Sequence, residues 1–284
     1  MDQAAAHARQ LVDHLASYSS VAVAFSGGVD SAVVACAAFI ALGGRAIAVT
    51  GTSASLAPSE LQTAKEIAAQ IGIRHELLPT DEFTRLEYLR NAPDRCFHCK
   101  TELYQSMSAV RQELGVSAIV NGANTDDFGD YRPGLQAAKD FDVRSPLVEC
   151  GFDKATVRAI ARFWQLPIWN KPASPCLSSR VAYGLEVTPE RLTRIDAGEQ
   201  FLRGHGFAPV RVRYHEGDVA RVEVEPTQLA KLVDPHFRES LVARFRELGF
   251  RFVTIDLEGF RSGSLNSLVT LETAMPGVRP PGFH

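Results

Sequence analysis

Long apolar runs are missing from the 284 residues, and no segment approaches the length needed to span a bilayer. Strong charge of either sign is missing too. With 30 Lys and Arg against 33 Asp and Glu, the formal net charge is -3, which lacks the basic balance of a dedicated nucleic-acid binder. Cysteines are few, odd in number and unevenly spaced, so a disulfide scaffold is excluded. Cys36, Cys96, Cys99, Cys150 and Cys176 read instead as thiols or metal ligands in a reducing compartment. Internal repeats, low-complexity tracts and long linkers are also absent. The opening "MDQAAAHARQLVDHLASYSS" reads as an amphipathic helix broken by charges, without the apolar core of a signal peptide, so a cytoplasmic location with no membrane partner is expected.

What is present is an ordinary globular composition, 45% hydrophobic and 22% charged, on a chain long enough for two domains. Apolar runs resembling buried strands lie at 21–25, 46–50, 75–80 and 118–122. Between them "SAVVACAAFIALGG", "SELQTAKEIAAQIG" and "CKTELYQSMSAVRQELG" carry helix-period apolar positions and a glycine stop. This alternation predicts an α/β fold with a doubly wound parallel sheet. The segment 143–149 and the helix "DKATVRAIARFWQLP" are expected to complete it. Beyond about residue 186 the pattern changes to a helix at 188–204, a hairpin over 210–224, a long helix near 227–248 and a strand "RFVTIDL". The expected division is a nucleotide-binding domain at 1–183 and a smaller α+β domain at 184–284, with the tail "MPGVRPPGFH" irregular.

The sharpest motif is "FSGGVDS", residues 25–31, set between a strand and a helix. Gly27 and Gly28 let backbone N–H groups approach phosphate oxygens, the helix N-terminus adds partial positive charge, and Ser26 and Ser31 offer hydroxyls. Asp30 would repel a phosphate unless a divalent cation, Mg²⁺, bridged them. The spacing matches neither "GxxxxGK[ST]" nor "GxGxxG". A ligand-free turn capped by Asp30 is the plainer alternative. The loop resembles the "SGGxDS" signature of PP-loop ATPases, which implies ATP as substrate, cleaved between its α and β phosphates, with AMP transferred to a substrate oxygen.

Two further polar loops follow strands. In "TGTSASLAPSE", Thr50, Gly51, Thr52 and Ser53 occupy the place where that family seats adenosine, against the reading of a plain polar loop. In "NGANTDDFGDYRPG", Asp126, Asp127 and Asp130 crowd beside Arg132; such carboxylates repel unless a cation or donor lies among them, so metal or substrate contacts compete with a solvated loop.

"RCFHCK" holds Cys96 and Cys99 in a Cys-x-x-Cys spacing suited to one metal or one redox pair. No second such pair exists to complete a zinc site, and His98, between the two, is expected to point away. Cys176, in "PASPCLSSR", would add a third thiolate if the fold brings it near, leaving one iron of a cluster open. Cys36 lies in an apolar helix and reads as core; Cys150 reads as structural.

Together "SGGVDS", "RCFHCK", "GANTDDFGDYRPG", "PASPCLSSR", "VRVRYH" and "GFRSGSLN" run in one order along nearly the whole chain. The set closely resembles the LarE family of ATP-dependent sulfur transferases, within the PP-loop (adenine nucleotide alpha hydrolase-like) group. The resemblance implies adenylation of a carboxylate of pyridinium-3,5-biscarboxylic acid mononucleotide, followed by its conversion to a thiocarboxylate during synthesis of the nickel-pincer nucleotide cofactor of lactate racemase. In one branch of the family the residue matching Cys176 is itself the sulfur donor; in another, three cysteines bind a [4Fe-4S] cluster. With Cys96 and Cys99 present, the resemblance implies the cluster branch, with Cys176 a ligand first and a sacrificial donor second.

The resemblance also implies that Arg211 and Arg213, which alternate along one strand face, contribute to the substrate site, and it places Glu199 there more loosely. Without it the two arginines read as an exposed strand face. Arg180 either lowers a thiol pKa or holds phosphate beside Ser178 and Ser179, or forms a surface salt bridge. A homo-oligomer, a hexamer by resemblance, and transient partners from the same cofactor synthesis are further implications. Competing readings are an iron–sulfur tRNA thiolation enzyme, which the near-neutral composition without a basic tail disfavours, an amidotransferase-coupled synthetase, which leaves three cysteines unexplained, and a nucleotide-sensing module.

Overall fold

Four short strands pair in parallel, β1 (Val21–Ala24), β2 (Ala46–Thr52), β3 (Arg74–Pro79) and β4 (Ala118–Val120), in the order β3-β2-β1-β4. The computed structural model describes residues 3–129 and 133–261. Alternate side chains of the sheet enter two different cores, as the two-residue period of a strand requires. Val21, Val23, Ala46 and Ala48 join one with α1 (Gln3–Leu15), α2 (Val29–Leu42), α3 (Pro58–Ile71) and α8 (Lys154–Phe163). Ala22, Ile47 and Val49 join the other with Tyr104 and Met107 of α5 (Arg95–Ala109) and Ala137 and Ala138 of α6 (Pro133–Asp140). Both faces are therefore covered, the doubly wound α/β arrangement expected from the alternating pattern. The helical turn α4 (Leu86–Leu89) leads into α5. Among the described residues no helix is long and apolar enough to cross a membrane.

The segment 143–149 does not continue the sheet as a strand. Arg144 makes a single parallel bridge to Val120, after which Pro146, with no N–H to donate, opens the short helix α7 (Pro146–Glu149).

The first unit of the chain ends at Cys176 and the second opens at Leu177. In the second, α9 (Pro189–Gly204) precedes the antiparallel hairpin β5 (Val210–His215) and β6 (Val219–Val224), and β7 (Phe252–Ile255) pairs in parallel with β6. The long helix expected near 227–248 is broken: α10 (Leu229–Leu232) stops before Pro235, where α11 (Pro235–Glu247) begins. The Asp234 carboxylate caps α11, accepting from the backbone N–H groups of His236 at 3.1 Å and Phe237 at 3.2 Å. Gly198 lets α9 approach α11 and β5, since a Cβ there would lie 3.1 Å from the Phe245 ring and 3.5 Å from Val212.

Candidate functional site

The chain between β1 and α2 turns through Gly27 at φ +70, where a Cβ would lie 2.8 Å from the Ala64 backbone. The Ser31 hydroxyl donates to the Gly28 carbonyl at 3.1 Å and accepts from the Ser26 N–H at 3.2 Å; the Ser26 hydroxyl in turn accepts from the Gly28 N–H at 3.3 Å. Both serines shape the loop. Among the described residues no side chain caps α2, so its N-terminal dipole remains directed at the loop, an arrangement suited to an anion.

Gly122, after β4, presses against this turn: a Cβ there would lie 2.7 Å from the Ser31 nitrogen. That approach brings the loop with Asn124 and Asp127 over the start of α2. The Asp30 carboxyl is held above its ordinary value by burial first and by the charge of Asp127 second, with Lys154 and Arg158 acting in the opposite direction. Lys154 Nζ lies 3.6 Å from Asp127. Asp126 has a different task, its carboxylate accepting from the Lys154 backbone N–H at 3.1 Å. Thus Asp30 and Asp127 form the acidic pair beside the glycine loop, while Asp130 and Arg132 lie outside the described residues.

Thr50 is buried, and its hydroxyl donates to the Phe25 carbonyl at 2.7 Å. Having one proton to give, it must then accept from His75 Nε2 at 2.8 Å, which fixes that ring's tautomer. These bonds tie β2 to its two neighbours. Thr52 ends β2 and Ser53 follows it, half-buried, with its hydroxyl donating at 2.5 Å to Glu82. Glu82 carried no signal in the sequence, since nothing in "PTDEFTRLE" separates it from the other carboxylates. Lys154 also went unmarked, its role emerging only where α8 meets the loop after β4.

Cys96 and Cys99 stand in the first turns of α5, one turn apart. Burial pushes the Cys99 thiol up to about 12, and the charge of Cys176 adds to the shift, followed after an opposing contribution from Lys100 by Glu82 and Cys96. The three cysteines therefore share one electrostatic neighbourhood within the first unit. Burial by itself would lower the Lys100 ammonium, yet Tyr104 and the same three thiols hold it above its ordinary value. The donor chemistry fits an iron–sulfur cluster, although among the described residues no three His, Cys, Asp or Glu side chains are gathered closely enough to hold a metal ion. His98 pairs with Asp94 at 3.3 Å along its own helix. Cys36 and Cys150 pack against the core, and burial raises the Cys36 thiol to about 11.

The second unit holds a separate cluster of buried charge. Arg180 Nε donates to Glu199 at 3.1 Å with both side chains at most 5% exposed, so this pair is internal rather than a surface bridge. Another Arg180 nitrogen donates to the Ser179 hydroxyl at 3.2 Å. Glu199 also accepts from Arg203 at 2.5 Å and from the Val212 N–H at 3.2 Å. Arg211 and Arg213 do share a strand face, and that face is buried, at 4% and 3% exposure. Arg213 is neutralised by Glu223, while Arg211 makes no ion pair among the described residues. It donates to the Arg261 carbonyl at 3.3 Å and lies 4.5 Å over the Phe260 ring. Burial, then the charges of Arg213 and Arg180, lower its pKa to about 10. A buried cation with no ion-pair partner among the described residues is suited to receive an anion.

Glu223 could have been found in the sequence. The turn at Gly217 sets the hairpin register so that Arg211 pairs with Glu223 and Arg213 with Arg221, placing all four on one face.

A family model described as asparagine synthase matches residues 6–110, which hold the glycine loop and the first three strands. An uncharacterised protein of Synechocystis is 46% identical over 248 residues, covering 87% of this chain and 92% of that protein. The pyridinium-3,5-bisthiocarboxylic acid mononucleotide synthase of Lactiplantibacillus plantarum is 37% identical over 92% of this chain and 94% of its own length. A tRNA-specific 2-thiouridylase of a Wolbachia strain is 27% identical over 58% of this chain and 54% of that enzyme. Likeness to the synthase at that identity runs through both units, so the chain belongs to the family of the pyridinium-3,5-bisthiocarboxylic acid mononucleotide synthase, the LarE-like PP-loop enzymes.

Proposed function

We propose that the protein is an ATP-dependent sulfur transferase that adenylates a carboxylate of pyridinium-3,5-biscarboxylic acid mononucleotide and replaces one of its oxygens by sulfur. The observation that carries this reading is 37% identity to the synthase over 92% of the chain, joined to a glycine loop with an acidic pair in the unit that also holds three neighbouring thiols. In the first step a substrate carboxylate oxygen attacks the α-phosphorus of ATP and pyrophosphate leaves. The N–H groups at the start of α2 would hold phosphate oxygens, and Asp30 with Asp127 would hold Mg²⁺ against them. In the second step a sulfur nucleophile attacks the acyl carbon and AMP leaves. Thiolate and sulfide are strong nucleophiles at neutral pH, so placement matters more than a general base. Arg211 would take an anionic group of the mononucleotide.

Cys96, Cys99 and Cys176 would be the ligands of a [4Fe-4S] cluster, which when bound supplies a sulfide on its open iron. The second route, with Cys176 as the sacrificed sulfur atom, uses the same thiol without the other two. The deciding experiment supplies ATP and the biscarboxylate nucleotide and scores AMP and thiocarboxylate. Formation of both supports the reading; AMP and sulfur transfer only when tRNA is supplied would replace it with the thiolation reading that the 2-thiouridylase likeness favours.

A further inference from the structure

Glu82 is 2% exposed and lies in the 3-10 turn Glu82–Thr84 that follows β3. One carboxylate oxygen accepts from the Ser53 hydroxyl at 2.5 Å and from the Ser55 hydroxyl at 2.9 Å. Ser53 Oγ in turn accepts from the Ser55 backbone N–H at 3.2 Å. These bonds tie the loop leaving β2 to the turn leaving β3. The two strands are already in register there, with Thr52 opposite Pro79 and the Thr80 N–H donating to the Thr52 carbonyl at 3.1 Å.

The tie therefore sits at the carboxyl ends of parallel strands, the edge at which doubly wound sheets bind ligands. β2 is the direct neighbour of β1, whose end carries the glycine loop, and adjacent strands lie about 4.8 Å apart. The 52–55 segment thus leaves the strand next to the one whose end carries the glycine loop, where a nucleoside attached to phosphates in that loop would meet it. The second Glu82 oxygen is buried with no hydrogen-bond partner among the described residues. One side-chain oxygen of Glu82 thus serves both hydroxyls at once, a hold on the loop that an apolar side chain at this position could not supply.

We infer that Glu82 is a positioning residue for nucleotide binding, acting through Ser53 and Ser55 to fix the loop after β2, a role that rests on the adenylation reading above.

The test is equilibrium binding of ATP by calorimetry to the full chain, alongside the Michaelis constant for ATP and the turnover of pyrophosphate release. Glu82→Ala is expected to weaken ATP binding about tenfold or more, raising the Michaelis constant while turnover changes by less than about threefold. Glu82→Gln keeps an oxygen for both hydroxyls and should restore most of the affinity. Ser53→Ala with Ser55→Ala should reproduce the loss, and adding Glu82→Ala to that pair should cost nothing further. Unchanged ATP affinity in Glu82→Ala, or a full additional loss on top of the serine pair, overturns the role. Should Glu82→Ala fail to fold, the serine pair carries the test, and wild-type affinity in it overturns the role equally. Absence of ATP binding by the wild-type protein removes the adenylation reading and this role together, an outcome distinct from a Glu82 variant that binds as the wild type does.

Discussion

The guanidinium of Arg213 meets the carboxylate of Glu223 through two hydrogen bonds of 3.0 Å each, and neither side chain is more than 3% exposed. A third Arg213 nitrogen donates to the Ser179 carbonyl at 2.9 Å. Arg213 is thus held in place before any ligand arrives, while Arg211, on the same strand face, makes no ion pair among the described residues.

The two arginines should therefore respond in opposite ways. Glu223→Ala removes the buried carboxylate that Arg213 and Arg221 share and is expected to cost about 3–5 kcal/mol, read by chemical denaturation. Arg211→Met removes a desolvated cation that Arg213 and Arg180 repel. It should melt no lower than the wild type yet lose affinity for the mononucleotide substrate. A large loss of stability in Arg211→Met would show that its contacts with Phe260 and the Arg261 carbonyl outweigh that repulsion.

Much of this was legible in the sequence, because strong local patterns carried it. The apolar runs of β1 and β2 and the "SGGVDS" turn have little freedom to be anything else, and the shared face of Arg211 and Arg213 follows from strand alternation. What escaped depends on which distant elements meet. Arg144 stops after one bridge because Pro146 cannot donate, and Asp234 with Pro235 splits a helix that apolar spacing alone would have continued. The bonds of the Thr50 hydroxyl to Phe25 and His75 were equally hidden, being set by strand order. Glu82 lies 29 residues from Ser53, and no spacing rule links them.

Gly122→Ala would drive a methyl group to 2.7 Å from the Ser31 nitrogen, and the neighbour is backbone that cannot rotate away. Either α2 or the loop after β4 must shift. The expected cost is about 1–3 kcal/mol in chemical denaturation, the range for overpacking a tight contact. Because the contact sets Asp127 against Asp30, pyrophosphate release should fall more than stability does. A variant with wild-type stability and release would show that the close approach is not needed.

Asp30 carries a stability cost that its substitution should relieve. Its folded-state pKa lies above the ordinary 3.8 because burial and Asp127 disfavour the charge. The stabilisation from the protonated form is complete below 3.8 and is lost as pH rises through the folded pKa, so at pH 7 the native state holds an unfavourable carboxylate. Asp30→Asn should melt above the wild type at pH 7, with the gap narrowing as the pH is lowered toward 4, and should release no pyrophosphate. Mg²⁺ should raise the wild-type melting temperature and leave that of the variant unchanged. A variant less stable than the wild type at neutral pH would contradict this assignment.

The thiols separate the two sulfur routes, because the routes need different numbers of them. A cluster requires Cys96, Cys99 and Cys176 together, so protein purified without oxygen and reconstituted with iron and sulfide should be coloured, and Cys96→Ala or Cys99→Ala should lose both iron and repeated turnover. The sacrificial route requires Cys176 alone. It predicts a colourless protein, one product per chain, and an intact mass lower by one H₂S after reaction, with Cys96→Ala as active as the wild type. Cys176→Ala should abolish sulfur transfer on either route while sparing pyrophosphate release, since the glycine loop lies between β1 and α2 and not on the segment that bears Cys176. Full sulfur transfer by that variant would remove Cys176 from the reaction and leave the pair on α5 as a structural feature.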